Sequence, residues 1–443
     1  MFLPESARLC IRALEEAGFR AYAVGGCVRD ALLGNPAHDY DLCTSAEPEQ
    51  TAQVFSGYSL VRNGEKHGTI GVVIGGEVIE ITTFRTEGGY QDSRHPDWVK
   101  FVGTVAEDLA RRDFTVNAMA FNPSEGYIDP WGGQEDLQTK VLRAVGDPEV
   151  RFREDALRIL RGVRFAVRFG LTPEKKTMDA MVSLSPLMEN LARERVFEEL
   201  CKLLPLVTAQ DLFRYRDILV QVIPELGACV DFHQHSPHHA YDVFTHIAHT
   251  VEATPAELSL RWAALLHDTG TPGCYILGAD GRGHFPGHAQ LSAQIADDVL
   301  RRLKAPTALR EQVVFLVSHH MTPIEPDKRL LRRRLGRYGI ETLQQLLVLQ
   351  EADMGSKGTG ATSCERFPIL RKLIDEVLDE DACLGIRDLA VNGQDLMALG
   401  FAAGPALGKC LNHLLEQVQD EALPNEKAAL LQAAKDYLTE ESV

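Results

Sequence analysis

Apolar positions in residues 5–17 recur at helical spacing, and a second short helix is predicted over Val28–Leu33. Between and after them, Ala21–Val24, His38–Cys43, Thr69–Ile74 and Val78–Phe84 read as strands, separated by Gly, Asn and Pro. From about Leu142 the spacing becomes almost wholly helical and stays so to the end, with Pro173, Pro186 and Pro205 punctuating helices rather than strands. The pattern predicts an α+β chain: a small mixed α/β region followed by an all-α remainder.

Length adds domains to this picture, since 443 residues exceed one ordinary core and predict two to four. No apolar run approaches the ~20 residues of a membrane span, so no membrane association is expected. The amphipathic, acid-bearing start MFLPESARLCIRALEEAGF does not read as a signal peptide. Nine scattered cysteines without a CxxC pair fit a reducing, cytoplasmic setting and burial as small hydrophobes. A formal net charge of −17 by itself argues against nucleic-acid binding. It hides two basic stretches, Arg151–Phe169 and RLLRRRLGR at Arg329–Arg337, offset by acid in IDEVLDEDA and LTEES.

Candidate chemistry starts in VGGCVRDALLGNPAHDYDL. Gly25 and Gly26 lie between a strand and a helix, where backbone amides can approach a phosphate, and Arg29 adds a multidentate cation. On a strand, Asp39 and Asp41 point to one side. Two such carboxylates repel unless a cation lies between them, and Mg²⁺ suits oxygen ligands shared with substrate phosphates. Solvated aspartates at a strand end are the plainer alternative. Glu80 in VIEITTF is a candidate third carboxylate or an edge-strand surface residue. In RRDFTVNA, Arg111, Arg112, Asp113 and Asn117 gather near a predicted helix start. In EDALRILRGVR, Asp155 and Arg158 share a helix face, which Arg161 and Arg164 continue. That pair is either a surface salt bridge or a base reader. A carboxylate accepts from the exocyclic amino group of cytosine or adenine while a guanidinium donates to the ring nitrogen; guanine and uracil present the reverse order.

Five motifs in order, VGGCVRDALLG with DYD, RRDFTVNAMA, IDPWGGQEDL and RFREDALRILRGVRF, resemble the class II tRNA nucleotidyltransferases, the CCA-adding enzymes and bacterial poly(A) polymerases. AVNGQDL, AGPALGKCL and LPNEKAALL extend the resemblance to nearly the whole chain. It implies a catalytic head (1–141) with a mixed sheet, a helical neck that selects the nucleotide (142–205), a helical body (206–375) and a tRNA-binding tail (376–443). It further implies that Asp39 and Asp41 hold Mg²⁺, with Glu80 kept from the strand pattern as the candidate third catalytic acid. Gly25, Gly26, Arg29 and Arg112 would contact the nucleotide, with Asp113 and Asn117 shaping its pocket. Asp155, Arg158, Arg161 and Arg164 would select it, and DPWGG would act as a hinge. The polar loop EGGYQDSRHPD favours addition of the whole CCA, and the acidic tail speaks against a poly(A) polymerase.

Residues 233–320 hold eleven of the fifteen histidines. WAALLHDTGTP puts His267 and Asp268 at the end of an apolar helix, and with FTHI, GHFPGHAQ, VSHH and EADMG it resembles an HD-domain phosphohydrolase across about 233–355. The implied ligands of a second divalent metal are His246, His267, Asp268 and Asp353, with His284, His288 and His319 nearby. Thr271 stands where the family writes a lysine, which bears on phosphatase activity more than on metal binding. The expected reaction is attack of a tRNA 3′-hydroxyl on the α-phosphate of CTP, twice, and then of ATP, with tRNA gripped partly by Arg329–Arg337. No stable protein partner is expected. Rival readings are a poly(A) polymerase, a partial CC- or A-adding enzyme, and an HD hydrolase with an RNA-binding head.

Overall fold

The computed structural model describes residues 1–37, 39–88, 98–235, 240–279, 281–358, 364–380 and 383–440. Two compact units emerge: Met1–Pro224 with Arg302–Ala305, and Glu225–Arg301 with Pro306–Val443. None of the described helices is long and apolar enough to cross a membrane.

The first unit opens with helix Glu5–Glu16 and a seven-stranded sheet. The sheet runs in the order Ser59–Val61, Thr69–Ile74, Glu77–Thr83, Leu42–Thr44, Ala21–Val24, Ala120–Asn122, Gly126–Ile128. It is mixed as expected: Leu42–Thr44 lies parallel to Glu77–Thr83, and the other neighbours are antiparallel. One face buries Tyr22, Val24, Cys43, Phe84, Leu109 and Ala120. Burial of Cys27 and Cys43 raises both thiols, Cys27 to about 11, which keeps them protonated fillers of the core.

Helices Pro148–Glu154 and Leu157–Phe169 follow, then Lys175–Leu184 and Arg193–Leu203. The first pair leaves Asp155 in extended backbone between them (φ −147°, ψ 103°). Asp155 therefore does not share a helix face with Arg158, as the spacing predicts; it precedes the helix that carries Arg158. DPWGG is a tight corner. The Asp129 carboxylate accepts from the amides of Gly133 (2.7 Å) and Gln134 (2.9 Å). A Cβ on Gly133 would stand 2.3 Å from the Thr115 carbonyl oxygen, so the backbone approach there requires glycine.

Among its described residues the second unit is mainly helical, with the two-residue strands Ile276–Leu277 and Gly283–His284 paired antiparallel. Helix Lys328–Tyr338 carries the second basic run. Three of its six basic side chains pair with acids within the unit. Arg332 is buried and pairs with Glu380 (2.8 Å) and Glu421 (2.5 Å), Lys328 pairs with Glu376 and Glu380, and Arg333 pairs with Asp420. Acid near the tail thus fastens part of this helix.

Candidate active site

A cleft of about 830 Å³ in the first unit gathers most of the predicted residues. Gly25, Gly26, Arg29, Asp39, Asp41, Arg112, Asp113, Asn117, Asp155, Arg158, Arg161 and Arg164 all line it. Glu80 stands beside it, next to Asp41, because Ile81 pairs with Leu42 in the parallel ladder.

Strand pairing aims the carboxylates. The predicted strand starts later than expected, at Leu42, so Asp39 and Asp41 precede it. The extended run nevertheless continues, since the Val24 amide donates to the Asp41 carbonyl (3.0 Å). Asp39 and Asp41 reach the cleft while Leu42 is buried in the core. Partial loss of solvation against the cleft wall raises the Asp41 pKa, and the charges of Glu80 and Asp39 raise it further against the opposing pull of Arg112. Three carboxylates that destabilise one another's charge fit a divalent cation, which would reverse that penalty.

The glycine corner brings in a cation. Gly25 has φ +77°, and a Cβ there would stand 2.6 Å from Nη1 of Arg112. Arg112 is also held by buried Asp108 (3.5 Å), which anchors Arg111 as well (3.0 Å). The segment predicted as a helix start is instead the end of helix Val105–Ala110 followed by a 3₁₀ turn at Thr115–Asn117.

The remaining cations are braced in a relay. Arg29 donates to Asp30 (2.9 Å) and to the Asn117 side chain, and lies over the Phe169 ring at 4.3 Å. Asn117 donates to Asp113 (3.0 Å), which also accepts two bonds from Arg161 (2.9 and 2.7 Å). Burial alone would raise the Asp113 pKa, but Arg161 and the hydrogen bonds outweigh it and pull it to about 2. Arg164 is buried against Glu199 at 2.6 Å. Asp113 and Arg164 are thus structural supports of the wall more than free contact groups.

Asp155 and Arg158 do not pair with each other in the salt bridge that their spacing allows. Asp155 accepts from Arg195 (2.9 Å) and from the Leu157 amide (3.0 Å). Arg158 donates to Glu154 (2.7 Å), to the Arg151 carbonyl (3.1 Å) and to the Arg111 carbonyl (3.1 Å). Those bonds use three of the five guanidinium N–H groups, and a carboxylate has about four acceptor sites, so each side chain is oriented with capacity to spare. Arg195, Arg85, Arg168 and Lys202 also line the cleft and were not singled out by motif. The signal for Arg168 was present in the arginine-rich helix; Arg195 lies on another helix and carries no local signal. In all, ten Lys and Arg side chains face four aspartates across the cleft, a positive field inside a chain of net charge −17.

In the second unit the four implied metal ligands converge. His246 Nε2 lies 3.0 Å from Asp353 and 3.5 Å from Asp268, and His267 Nε2 lies 3.6 Å from Asp268. His288 and His320 join them at Asp268, at 3.4 and 3.8 Å. His319, singled out in the sequence, faces away and stacks on Phe315 at 4.2 Å between ring centroids. His38, His238, His239 and residues 89–97 of the EGGYQDSRHPD loop lie outside the described residues.

Comparison with known proteins matches this architecture. Family models fit residues 21–143 ("Poly A polymerase head domain"), 170–228 ("Probable RNA and SrmB- binding site of polymerase A") and 287–434 (tRNA nucleotidyltransferase domain 2). The chain is 34% identical over 447 residues to the CCA-adding enzyme of Latilactobacillus sakei, covering 98% of this chain and 99% of that protein. It is 35% identical over 423 residues to that of Streptococcus pneumoniae serotype 19F, covering 95% and 94%. The crystal structure of the Bacillus stearothermophilus CCA-adding enzyme in complex with CTP superposes with a TM-score of 0.77 at 28% identity, covering 100% of this chain and 99% of that one. The chain belongs to the CCA-adding enzymes, a family of tRNA nucleotidyltransferases.

Proposed function

We propose that the chain adds the 3′-terminal CCA sequence to tRNA from CTP and ATP, without a nucleic-acid template and with release of pyrophosphate. One observation carries the reading: the carboxylates Asp39 and Asp41 and the oriented pair Asp155 and Arg158 line the same cleft. Mg²⁺ held by Asp39 and Asp41, with Glu80 beside them, would supply charge neutralisation for the reacting oxygens. The residues of the chain do the rest. The Gly25–Gly26 corner, Arg29 and Arg112 receive the triphosphate. Asp155 accepts from the amino group of cytosine or adenine, and Arg158 donates to the adjacent ring nitrogen. Arg195 and Glu154 hold those two side chains at the required angle. The positive field of the cleft draws in both the triphosphate and the tRNA end.

The relatives named as CCA-adding enzymes, and the CTP complex of one of them, support this substrate set. The test is incubation of tRNA lacking its CCA end with CTP alone, ATP alone, or both. Addition of two C residues, of nothing, and of CCA is expected. A run of A without prior C would replace this reading with a poly(A) polymerase.

A further inference from the structure

Two aromatic rings back the cations of the head cleft. Phe165 and Phe169 stand one turn apart at the end of helix Leu157–Phe169 and stack, with centroids 6.1 Å apart and planes at 21°. Four guanidinium groups crowd onto them. Arg161 and Arg164 lie over Phe165 at 5.1 and 4.4 Å, and Arg168 lies over Phe169 at 5.1 Å. Arg29 lies over Phe169 at 4.3 Å and over Phe165 at 5.5 Å. A cation within about 6 Å of a ring centroid is attracted to the electron-rich face. The rings thus let like charges gather where little water reaches them.

The two rings differ in what else they hold. Phe165 is buried and meets buried Phe114 edge-on at 6.0 Å, so it belongs to the core that joins the neck helix to the RRDF segment. Phe169 is half-buried and is the last residue of its helix, before the left-handed Gly170. Its partner Arg29 comes from helix Gly26–Leu32, behind the glycine corner. Burial and the like charge of Arg168 pull the Arg29 pKa down, against the opposing pull of Asp30. Asp30 lies 2.9 Å from Nε and 2.8 Å from Nη2 of Arg29, and the Asn117 side chain accepts from Nη1. A guanidinium has five N–H groups, so these three bonds leave two for a phosphate. Asp30 and Asn117 belong to the head. The Phe169 ring is the contact that comes from the helix of Arg158.

We propose that Phe169 is a positioning residue for the triphosphate: its ring seats Arg29 and ties that cation to the helix that carries Arg158. This rests on the reading of the cleft as a nucleotide site. An aliphatic side chain of similar volume would fill the space but offer no electron-rich face to a desolvated cation. The effect is local to the triphosphate end. Asp155 is held by Arg195, and Arg158 by Glu154 and two backbone carbonyls, none of which involves the rings.

The test measures two competitive inhibitors of C addition to tRNA lacking its CCA end. Inorganic triphosphate and cytidine report the two ends of the nucleotide separately. Phe169→Leu should weaken inhibition by inorganic triphosphate, and raise KM for CTP and ATP, by about fivefold to tenfold, with kcat changed less than about twofold. Inhibition by cytidine should not change. Phe169→Tyr keeps the ring and should restore triphosphate inhibition to within about twofold. In an Arg29→Ala background, Phe169→Leu should add less than about twofold, because the partner is gone. Fluorinated phenylalanines at position 169 keep the shape while draining the ring face, and decide the matter even if Phe169→Leu fails to fold. Triphosphate inhibition should weaken stepwise from one fluorine to three. A flat fluorine series, unchanged triphosphate inhibition in Phe169→Leu, an equal loss in Phe169→Tyr, or a parallel loss for cytidine overturns the proposal. Failure of the unchanged chain to add C would instead overturn the nucleotide-site reading beneath it.

Discussion

The head cleft and the histidine cavity solve opposite problems with charged groups. In the cleft, cations outnumber acids, and many are tied to one another through Asp108, Asp113 and Glu199. Asp39, Asp41 and Glu80 remain exposed and mutually repulsive. In the cavity, buried histidines converge on two aspartates, and Asp353 and Asp268 are held well below the usual carboxylate range despite burial, chiefly by the surrounding histidines. The cleft is thus wide, with braced cations around unbraced carboxylates. In the cavity the imidazoles of His246 and His267 are oriented by backbone carbonyls. The lesson is that rigidity is spent in different places: on the walls in the cleft, on the histidines in the cavity.

The contrast breaks most sharply at the exposed acids. Asp39→Asn with Asp41→Asn should lower single-turnover nucleotide addition by about 10³-fold or more while leaving the melting temperature unchanged, because these side chains brace nothing. A large loss of stability would mean that they belong to the wall. Asp113→Asn probes the wall itself. It strands Arg161 and should cost about 3 kcal/mol, read by denaturant unfolding.

The same residue sets a pH dependence. The Asp113 pKa falls from an ordinary 3.8 to about 2 in the folded chain. The unfolded chain therefore binds its proton first as pH drops. The ion pair stabilises fully above pH ~4, and its contribution of about 2 kcal/mol is lost as pH falls through ~2. Asp113→Asn should flatten the unfolding free energy across that window; an unchanged slope would contradict the account.

Gly25→Ala should cost about 1–2 kcal/mol from positive φ and lower addition, since Arg112 must move away from the corner. The smallest effect is expected for Lys202→Ala. Lys202 is largely exposed and 3.9 Å from Glu199, so addition should change less than about twofold.

What was legible in the sequence was local. Strands Ala21–Val24 and Thr69–Ile74 coincide with the structure because alternation and flanking glycines mark them. The glycine corner, Arg29 and the two aspartates were legible because their chemistry lies within one segment. Long-range pairing was not. Asp155–Arg195 joins residues 40 apart, Asp113–Arg161 joins residues 48 apart, and Arg332–Glu421 joins residues 89 apart, and no periodicity encodes such partners. The break at Asp155 was missed because its neighbours are good helix formers, and tertiary pairing with Arg195 holds the residue extended. The choice of His320 over His319 depends on where helix Thr307–His319 ends, which spacing fixes only to a residue or two.

The central claim is that one cleft transfers the nucleotide while Asp155 and Arg158 choose it. End-sequencing of products from tRNA lacking CCA, with all four nucleoside triphosphates, tests this most directly on the unchanged chain and on Asp155→Asn. The account predicts CCA from the first. From the second it predicts about 10–100-fold slower addition of C and A, with U or G entering the ends, because the amide reverses one hydrogen-bond requirement. Unchanged rates and clean CCA ends from Asp155→Asn would contradict it.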